Sequence, residues 1–271
     1  MISVIMVQHN NAELSKEAIR SLKDFHGEGY EIILVDNGSA NNNMHDLRCK
    51  FPNVQVIKNE ENIGFGSANN VAAKVAKGEI LFFMNNDTVC KSEFLSSITR
   101  EFAGRPEVGI IGPKLLNSDD SLQLSAGRLP AFWGEIADKV LYRLVERRVK
   151  LIQRYIDWKF SQMQPVGWVT GAALFIRKEL FMQIGGFDEK MFLYFEDKDL
   201  CLRAASSGNI VFYYPTACLV HLKGGSSKGD ILHFTQKMYR KSQLWYYQKH
   251  RPPLEKLLLK MYLHITGKYP N

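Results

Sequence analysis

Five consecutive apolar residues, Ile80–Met84, run straight into Asn85-Asn86-Asp87, and this stretch constrains the fold more than any other. A run so short and so uniformly apolar reads as a strand covered on both faces of a parallel sheet. In open α/β sheets ligands gather at the carboxyl ends of strands. A carboxylate launched there, Asp87, is placed to hold a metal and a phosphate. The plain alternative is a turn that caps the next helix, because Asn and Asp favour such positions.

The residues on either side extend the pattern. Residues 3–8, 31–35 and 54–58 read as strands, and 12–25 as a helix on the spacing of Leu14, Ala18, Ile19 and Leu22. A small-residue helix at 67–77 leads into Ile80. Strand and helix thus alternate repeatedly before Asp87, which predicts an α/β chain with a doubly wound, mostly parallel central sheet. Residues 94–103 add a helix and 108–111 a strand, with Gly104, Arg105 and Pro106 breaking the chain between them.

Beyond residue 117 the pattern changes. A long, basic, helical stretch at about 134–160 carries Lys139, Arg143, Arg147, Lys150 and Arg154, with Trp133 and Trp158 at its margins. Such a stretch either lies on an anionic membrane surface or is a surface helix with a solvated face. An apolar run follows at 174–176 and a strand at 211–214, and the stretch 217–221 ends in His221. Between them a helix opens on Glu196 and Asp197, and in it Asp199 and Arg203, four apart, can pair on one face.

Composition narrows the class. With 271 residues and 45% hydrophobic content the chain can build one large or two small domains with a real core. It contains no run of about 18 apolar residues that would span a membrane. The amino terminus opens on a strand, without a basic leader. Cys49, Cys90, Cys201 and Cys218 form no Cys-x-x-Cys pair, so reduced thiols and a cytoplasmic location are expected. The formal charge is +7, and residues 223–271 alone hold ten Lys or Arg against two acidic residues. No nucleic-acid module accompanies this tail, so a nucleic-acid partner is not expected.

Several stretches, taken together and in order, resemble one family. They are Val7-Gln8-His9-Asn10, Val35-Asp36-Asn37-Gly38-Ser39, Asn62-Ile63-Gly64-Phe65-Gly66, Asn85-Asn86-Asp87, Trp168-Val169-Thr170-Gly171-Ala172, Gly185-Gly186-Phe187-Asp188, Phe195-Glu196-Asp197-Lys198-Asp199-Leu200 and His221. The chain resembles the inverting family 2 glycosyltransferases of the GT-A fold, especially the rhamnosyltransferase-like members that extend bacterial surface polysaccharides. Gly64 and Gly66 do not form a dinucleotide fingerprint, because the third glycine is missing.

The resemblance implies roles. Asp197 matches the catalytic base, with Glu196 positioning acceptor or sugar. Asp87 matches the last acid of a metal-binding Asp-x-Asp motif whose first acid is here Asn85, and His221 matches a histidine that completes the metal site in some relatives. A hard cation, Mg2+ or Mn2+, would meet the charge of the leaving diphosphate. Asp36 would bind the pyrimidine or its neighbourhood, with Gln8 and Asn10 in the same pocket. Asn62, Gly64, Phe65, Asn69, Asn85 and Asn86 would line the nucleotide sugar, dTDP- or UDP-linked. Trp168, Thr170 and Gly171 would form the wall between donor sugar and acceptor, and Asp188 would contact a sugar hydroxyl or brace that wall.

The implied layout is a catalytic domain at 1–227, divided into a nucleotide-sugar-binding half (1–115) and an acceptor-binding half (116–227). A basic, aromatic-rich helical extension at 228–271 follows. Its expected partner is an anionic membrane surface bearing a lipid-linked saccharide or other glycan acceptor, and the competing reading is a packing arm or a contact with a second copy of the chain. Rival functions are a nucleotide-sugar-binding scaffold without turnover and a nucleotidyltransferase.

Overall fold

The computed structural model describes residues 1–40, 44–147, 149–222 and 230–270, with the side chains of residues 146, 230 and 231 left aside. The first half is β1 (Ile2–Gln8), α1 (Ala12–His26), β2 (Tyr30–Asn37), α2 (Met44–Lys50), β3 (Val54–Asn59), α3 (Phe65–Val75) and β4 (Ile80–Met84). Strand β1 pairs in parallel with β2 and with β4, and β2 pairs in parallel with β3. The short α2 escapes a periodicity reading because only Met44 and Leu47 are buried along its length.

There follow β5 (Thr88–Cys90), α4 (Leu95–Gly104), β6 (Val108–Leu116), β7 (Leu122–Gln123), β8 (Ala126–Gly127), α5 (Phe132–Glu146) and α6 (Lys150–Lys159). Then come β9 (Gln164–Pro165), β10 (Trp168–Val169), β11 (Ala173–Arg177), α7 (Lys178–Gln183), α8 (Glu196–Ser206), β12 (Ile210–His221), α9 (Asp230–His250) and α10 (Pro253–Ile265). The basic stretch at about 134–160 is therefore two helices, separated at Val149, whose backbone is extended. The strand expected at 211–214 continues through to His221. Its register slips between Tyr214 and Cys218, around Pro215, which has no N–H to give to the ladder.

The main sheet runs β3-β2-β1-β4-β11-β6-β12-β5, with β7 on β6 and β9 on β12. Strand β4 is buried along its whole length, as read, but its second neighbour, β11, is antiparallel. Burial on both faces is set by the helix layers and says nothing about the direction of a neighbouring strand. The antiparallel entry has a consequence for chemistry. Ala173 faces Met84, so β11 starts where β4 ends and the loop before it lies beside Asn85.

Alternation along each strand divides the core in two. Val4, Met6, Phe82 and Met84 face Ile19, Leu22, Leu47 and Ile98 of α1, α2 and α4. Ile5, Leu81 and Phe83 face Ala68, Ala72, Leu180, Leu200 and Ala204 of α3, α7 and α8. Phe82 of β4 and Phe175 of β11 stack with ring centroids 3.9 Å apart. A third cluster joins the tail to the rest: Tyr246, Tyr247, Leu259 and Leu263 bury Phe132, Met191 and Phe195. The aromatic residues Tyr246 and Tyr247 are thus core residues of a packing arm and are not displayed to a membrane. All four cysteines are free thiols.

Candidate active site

The carboxyl ends of β1 and β2 supply the first wall. Gln8 Nε2 donates to Asp36 Oδ1 at 2.5 Å and to Ser39 Oγ at 3.0 Å. Asn10, at φ 58°, donates its N–H to Ser39 Oγ, and its Oδ1 accepts from Ala40 N–H. Gln8, Asn10 and Asp36 therefore stand together. Asn37, a residue of the Val35–Ser39 stretch given no role above, organises the next segment. Its Nδ2 donates to Asn62 Oδ1 at 2.9 Å, and its Oδ1 accepts from Asn59 Nδ2 and Ile63 N–H.

That segment then crosses to the loop ahead of α8. Phe65 N–H donates to the Phe192 carbonyl at 2.9 Å. Gly64 sits at φ +89°, and a Cβ on it would lie 2.7 Å from the same carbonyl oxygen, so both conformation and contact demand glycine. Phe65 lies edge-on to Phe187 and against Gly171. Asn69 does not join the site: it is buried in α3 with its amide on the Phe65 carbonyl.

At the end of β4 the three residues of the opening stretch part company. Asn86 Nδ2 turns to Asn11 O and Ser15 Oγ and secures the first turn of α1. Asn85 and Asp87 line a cavity of about 960 Å3 together with His221 and Tyr194. Thr88 and His221 are cross-strand partners of β5 and β12, and this ladder brings His221 Nε2 to 3.1 Å from Asp87 Oδ1. The other ring nitrogen, Nδ1, meets the Gln123 side-chain amide at 3.1–3.2 Å. Gln123 lies on the two-residue β7, and nothing in the sequence marks it.

Asp87 and His221 present one hard oxygen and one imidazole nitrogen to the cavity, and Gln123 fixes the ring from behind, as an outer partner of a metal-bound histidine does. Among the described residues no group of three or more His, Cys, Asp or Glu converges on a common point. The donors fit a cation that takes its remaining ligands from a bound diphosphate.

Asn85 N–H donates to the Ala172 carbonyl at 2.9 Å, and the adjoining Gly171 N–H donates to Asp197 Oδ2 at 3.1 Å. Asp197 Oδ1 accepts from Lys198 N–H at 2.8 Å. The Lys198 ammonium lies 4.7 Å from the centroid of the Trp168 ring. Thr170 is tied by its N–H to the Ser125 carbonyl, and its Oγ1 accepts from Ala172 N–H. Trp168, Thr170 and Gly171 are thus gathered beside Asp197.

Helix α8 enters from two left-handed residues, Tyr194 and Phe195, both at φ 68°. Non-glycine residues in that region cost about 1–3 kcal/mol each, and such strain gathers at functional sites. The first helical side chain, Glu196, is buried, and its Oε2 has no hydrogen-bond partner among the described residues. Burial first, and then the Asp197 carboxylate, raise Glu196 above the usual carboxylate range.

Asp188 is engaged by the tail. Its Oδ2 accepts from Trp245 Nε1 at 3.0 Å and Lys249 Nζ at 2.8 Å. Lys249 also reaches the fully buried Asp199, which in addition holds Arg203 and His250. The expected Asp199–Arg203 pair is therefore part of a larger joint between α8 and α9.

Residues 3–185 match the model of glycosyl transferase family 2. The N-acetylglucosaminyl-diphospho-decaprenol L-rhamnosyltransferase of Mycobacterium tuberculosis is 27% identical over 222 residues, 73% of this chain and 68% of that protein. Rhamnosyltransferase WbbL of Escherichia coli is 25% identical over 231 residues, 82% and 83% of the two chains. Among solved structures, GalNAc-T7 with UDP, GalNAc and Mn2+ matches at TM-score 0.64 and 18% identity, over 91% of this chain and 48% of that one. The mannosyltransferase PcManGT from Pyrobaculum calidifontis, in complex with GDP-Man and Mn2+, matches at 0.61 and 18% identity, over 97% and 69%. At such identity these likenesses speak for the fold alone. With the motifs in order along one GT-A sheet and the family match spanning most of the chain, the protein belongs to glycosyl transferase family 2 and is a glycosyltransferase.

Proposed function

We propose that the chain moves L-rhamnose from dTDP-rhamnose, or a related sugar from another pyrimidine nucleotide, to a hydroxyl of a lipid-linked or cell-surface glycan, with inversion. The observation that carries this is the short path from Asn85 through Ala172 and Gly171 to Asp197, which joins the diphosphate end of the site to a carboxylate. The names of the two relatives support rhamnose as the sugar.

Gln8, Asn10 and Asp36 take the pyrimidine end of the donor, and the Asn62–Phe65 segment lies along it. Asp87 and His221 would hold Mg2+ or Mn2+, which neutralises charge on the departing diphosphate. The acceptor hydroxyl attacks the anomeric carbon from the side opposite that diphosphate, and Asp197 takes its proton. Both Asp197 oxygens are oriented by backbone N–H groups of Gly171 and Lys198, so the base does not swing. Glu196, raised towards its protonated form by burial and by the neighbouring Asp197, stands next to the base. Trp168 and Thr170 separate donor sugar from acceptor.

The enzyme works at the cytoplasmic face of a membrane, with residues 228–271 as the docking element. Leu254, Leu257, Met261 and Ile265 are exposed at spacings of three and four residues on α10, beside Lys256 and Lys260. No helix among the described residues is long and apolar enough to cross a membrane. The decisive experiment is a donor screen that measures transfer and hydrolysis across purified nucleotide sugars. Turnover with none of them, by protein that binds nucleotide, would replace this reading with a scaffold role.

A further inference from the structure

The cavity that holds Asp87 and His221 has a second wall, built by residues beyond the segment that matches the family. Lys237 and Arg240 come from α9, and Lys268 from the segment after α10. Arg240 is fixed in place: its Nη1 donates to Gln243 Oε1 at 2.7 Å, and its guanidinium lies 5.0 Å from the Tyr239 ring centroid. Gln243 is itself buried and tied to Glu135. Tyr239 packs edge-on against Tyr194 and Phe195, the two left-handed residues ahead of Glu196. Among the described residues, Lys237, Arg240 and Lys268 pair with no carboxylate. Among the described residues, the one acidic residue lining the cavity is Asp87, on the other wall.

Three cations on one wall of a cavity, none of them paired with a carboxylate among the described residues, make an anion site. Guanidinium and ammonium groups together match a phosphoryl group in charge and donor number. At about 960 Å3 the cavity is at the upper end of the range for ligand pockets, about 300–1,000 Å3, so it has room for more than the donor's own diphosphate. We propose that Lys237, Arg240 and Lys268 form a phosphate-binding subsite on the tail wall, resting on the sugar-transfer reading above. The phosphoryl group it takes belongs either to the donor diphosphate or to a phosphorylated acceptor.

The test has a binding arm and two kinetic arms. In the presence of a chelator, inorganic pyrophosphate is titrated into the full chain by calorimetry. The wild type binds, and the K237Q/R240Q/K268Q variant binds at least about tenfold more weakly. Equal affinity of the two proteins, or no binding by the wild type, overturns the subsite. Because Lys237 and Lys268 are exposed, the K237Q/K268Q double variant keeps the test open if the triple variant fails to fold. It is expected to show a smaller loss in the same direction, and unchanged affinity counts against the proposal.

In the kinetic arms, a raised KM for a diphosphate-linked acceptor, with an unchanged KM for the same glycan lacking phosphate, assigns the subsite to the acceptor. A raised KM for the nucleotide sugar with both acceptors assigns it to the donor. Should the wild type transfer no sugar at all, the sugar-transfer reading falls while the pyrophosphate titration still decides the subsite.

Discussion

His221 Nε2 stands 3.1 Å from Asp87 Oδ1 because Thr88 and His221 face each other across the β5–β12 ladder. Backbone pairing sets the distance, and Gln123 sets the ring. Replacing Gln123 with Ala leaves both donors in place but frees the imidazole. Metal affinity, read by calorimetry with Mn2+ and nucleoside diphosphate, is expected to fall about 10–100-fold. His221→Ala and Asp87→Ala remove the donors themselves and are expected to make nucleotide binding the same with and without chelator.

Asp197→Asn keeps the shape of the side chain and removes its basicity. Turnover is expected to fall roughly 10²–10⁴-fold. Nucleotide affinity is expected to stay at the wild-type value, because the Asp197 carboxylate is held by Gly171 and Lys198 and takes no part in the Gln8–Asp36 group. Turnover unchanged in a stopped sugar-transfer assay would remove Asp197 as the base.

Glu196 gives a signed pH dependence. Its folded-state pKa lies above its unfolded value, so the folded chain binds the proton more tightly. Stability from this group is whole below the ordinary glutamate pKa and is lost as the pH climbs towards the raised value. Glu196→Gln carries no such proton. Thermal melts from acid to neutral pH are expected to decline less for the variant than for the wild type. Parallel curves would refute the shift.

Gly64→Ala places a methyl group at φ +89° and 2.7 Å from the Phe192 oxygen. The strain alone is worth about 1–3 kcal/mol. A lower melting temperature and a higher KM for donor are expected together, because the same turn carries Asn62 and Phe65. Gly104→Ala, where a Cβ meets nothing within 4 Å, serves as the control.

The outer face of α10 can be tested without opening the core. Deleting the tail would strip Tyr246 and Tyr247 from their packing, so Leu254, Leu257, Met261 and Ile265 are better replaced together by Ser. Co-sedimentation with vesicles of anionic lipid is expected to drop, and the melting temperature to hold. Undiminished binding would reject α10 as the docking face.

Much of this was open to reading in the residues. Ile80–Met84 announced a strand buried on both faces, because uniform apolarity over five residues has few other outcomes. Asp87, Asp197 and His221 stand in stretches whose residue types can hold ligands, and the fold sets Asp87 beside His221 and Asp197 beside Gly171. What stayed hidden depends on partners far along the chain. The direction of β11 leaves no mark on either strand's composition. Gln123 is one glutamine among polar neighbours until a ladder sets it behind His221. Asn69 and Asn86 belong to the same polar stretches as Asn62 and Asn85, yet they turn to helix backbone and to Ser15, because side-chain direction follows local geometry and not residue type. In the sequence the tail shows only its charge and aromaticity. Burial then sorted Tyr246 and Tyr247 inward and left the aliphatic stripe of α10 outside.

Strand β11 lies between β4 and β6, so the first half of the chain and the second share one hydrogen-bonded sheet with no seam. A chain that has made only its first half presents β4 as a raw edge, its carboxyl end still missing the Ala172 carbonyl that receives the Asn85 N–H. The end of β4 and the Gly171–Ala172 loop that holds Asp197 are thereby joined in one hydrogen-bonded unit. Neither half can be exchanged for that of a relative without rebuilding the β4–β11 junction.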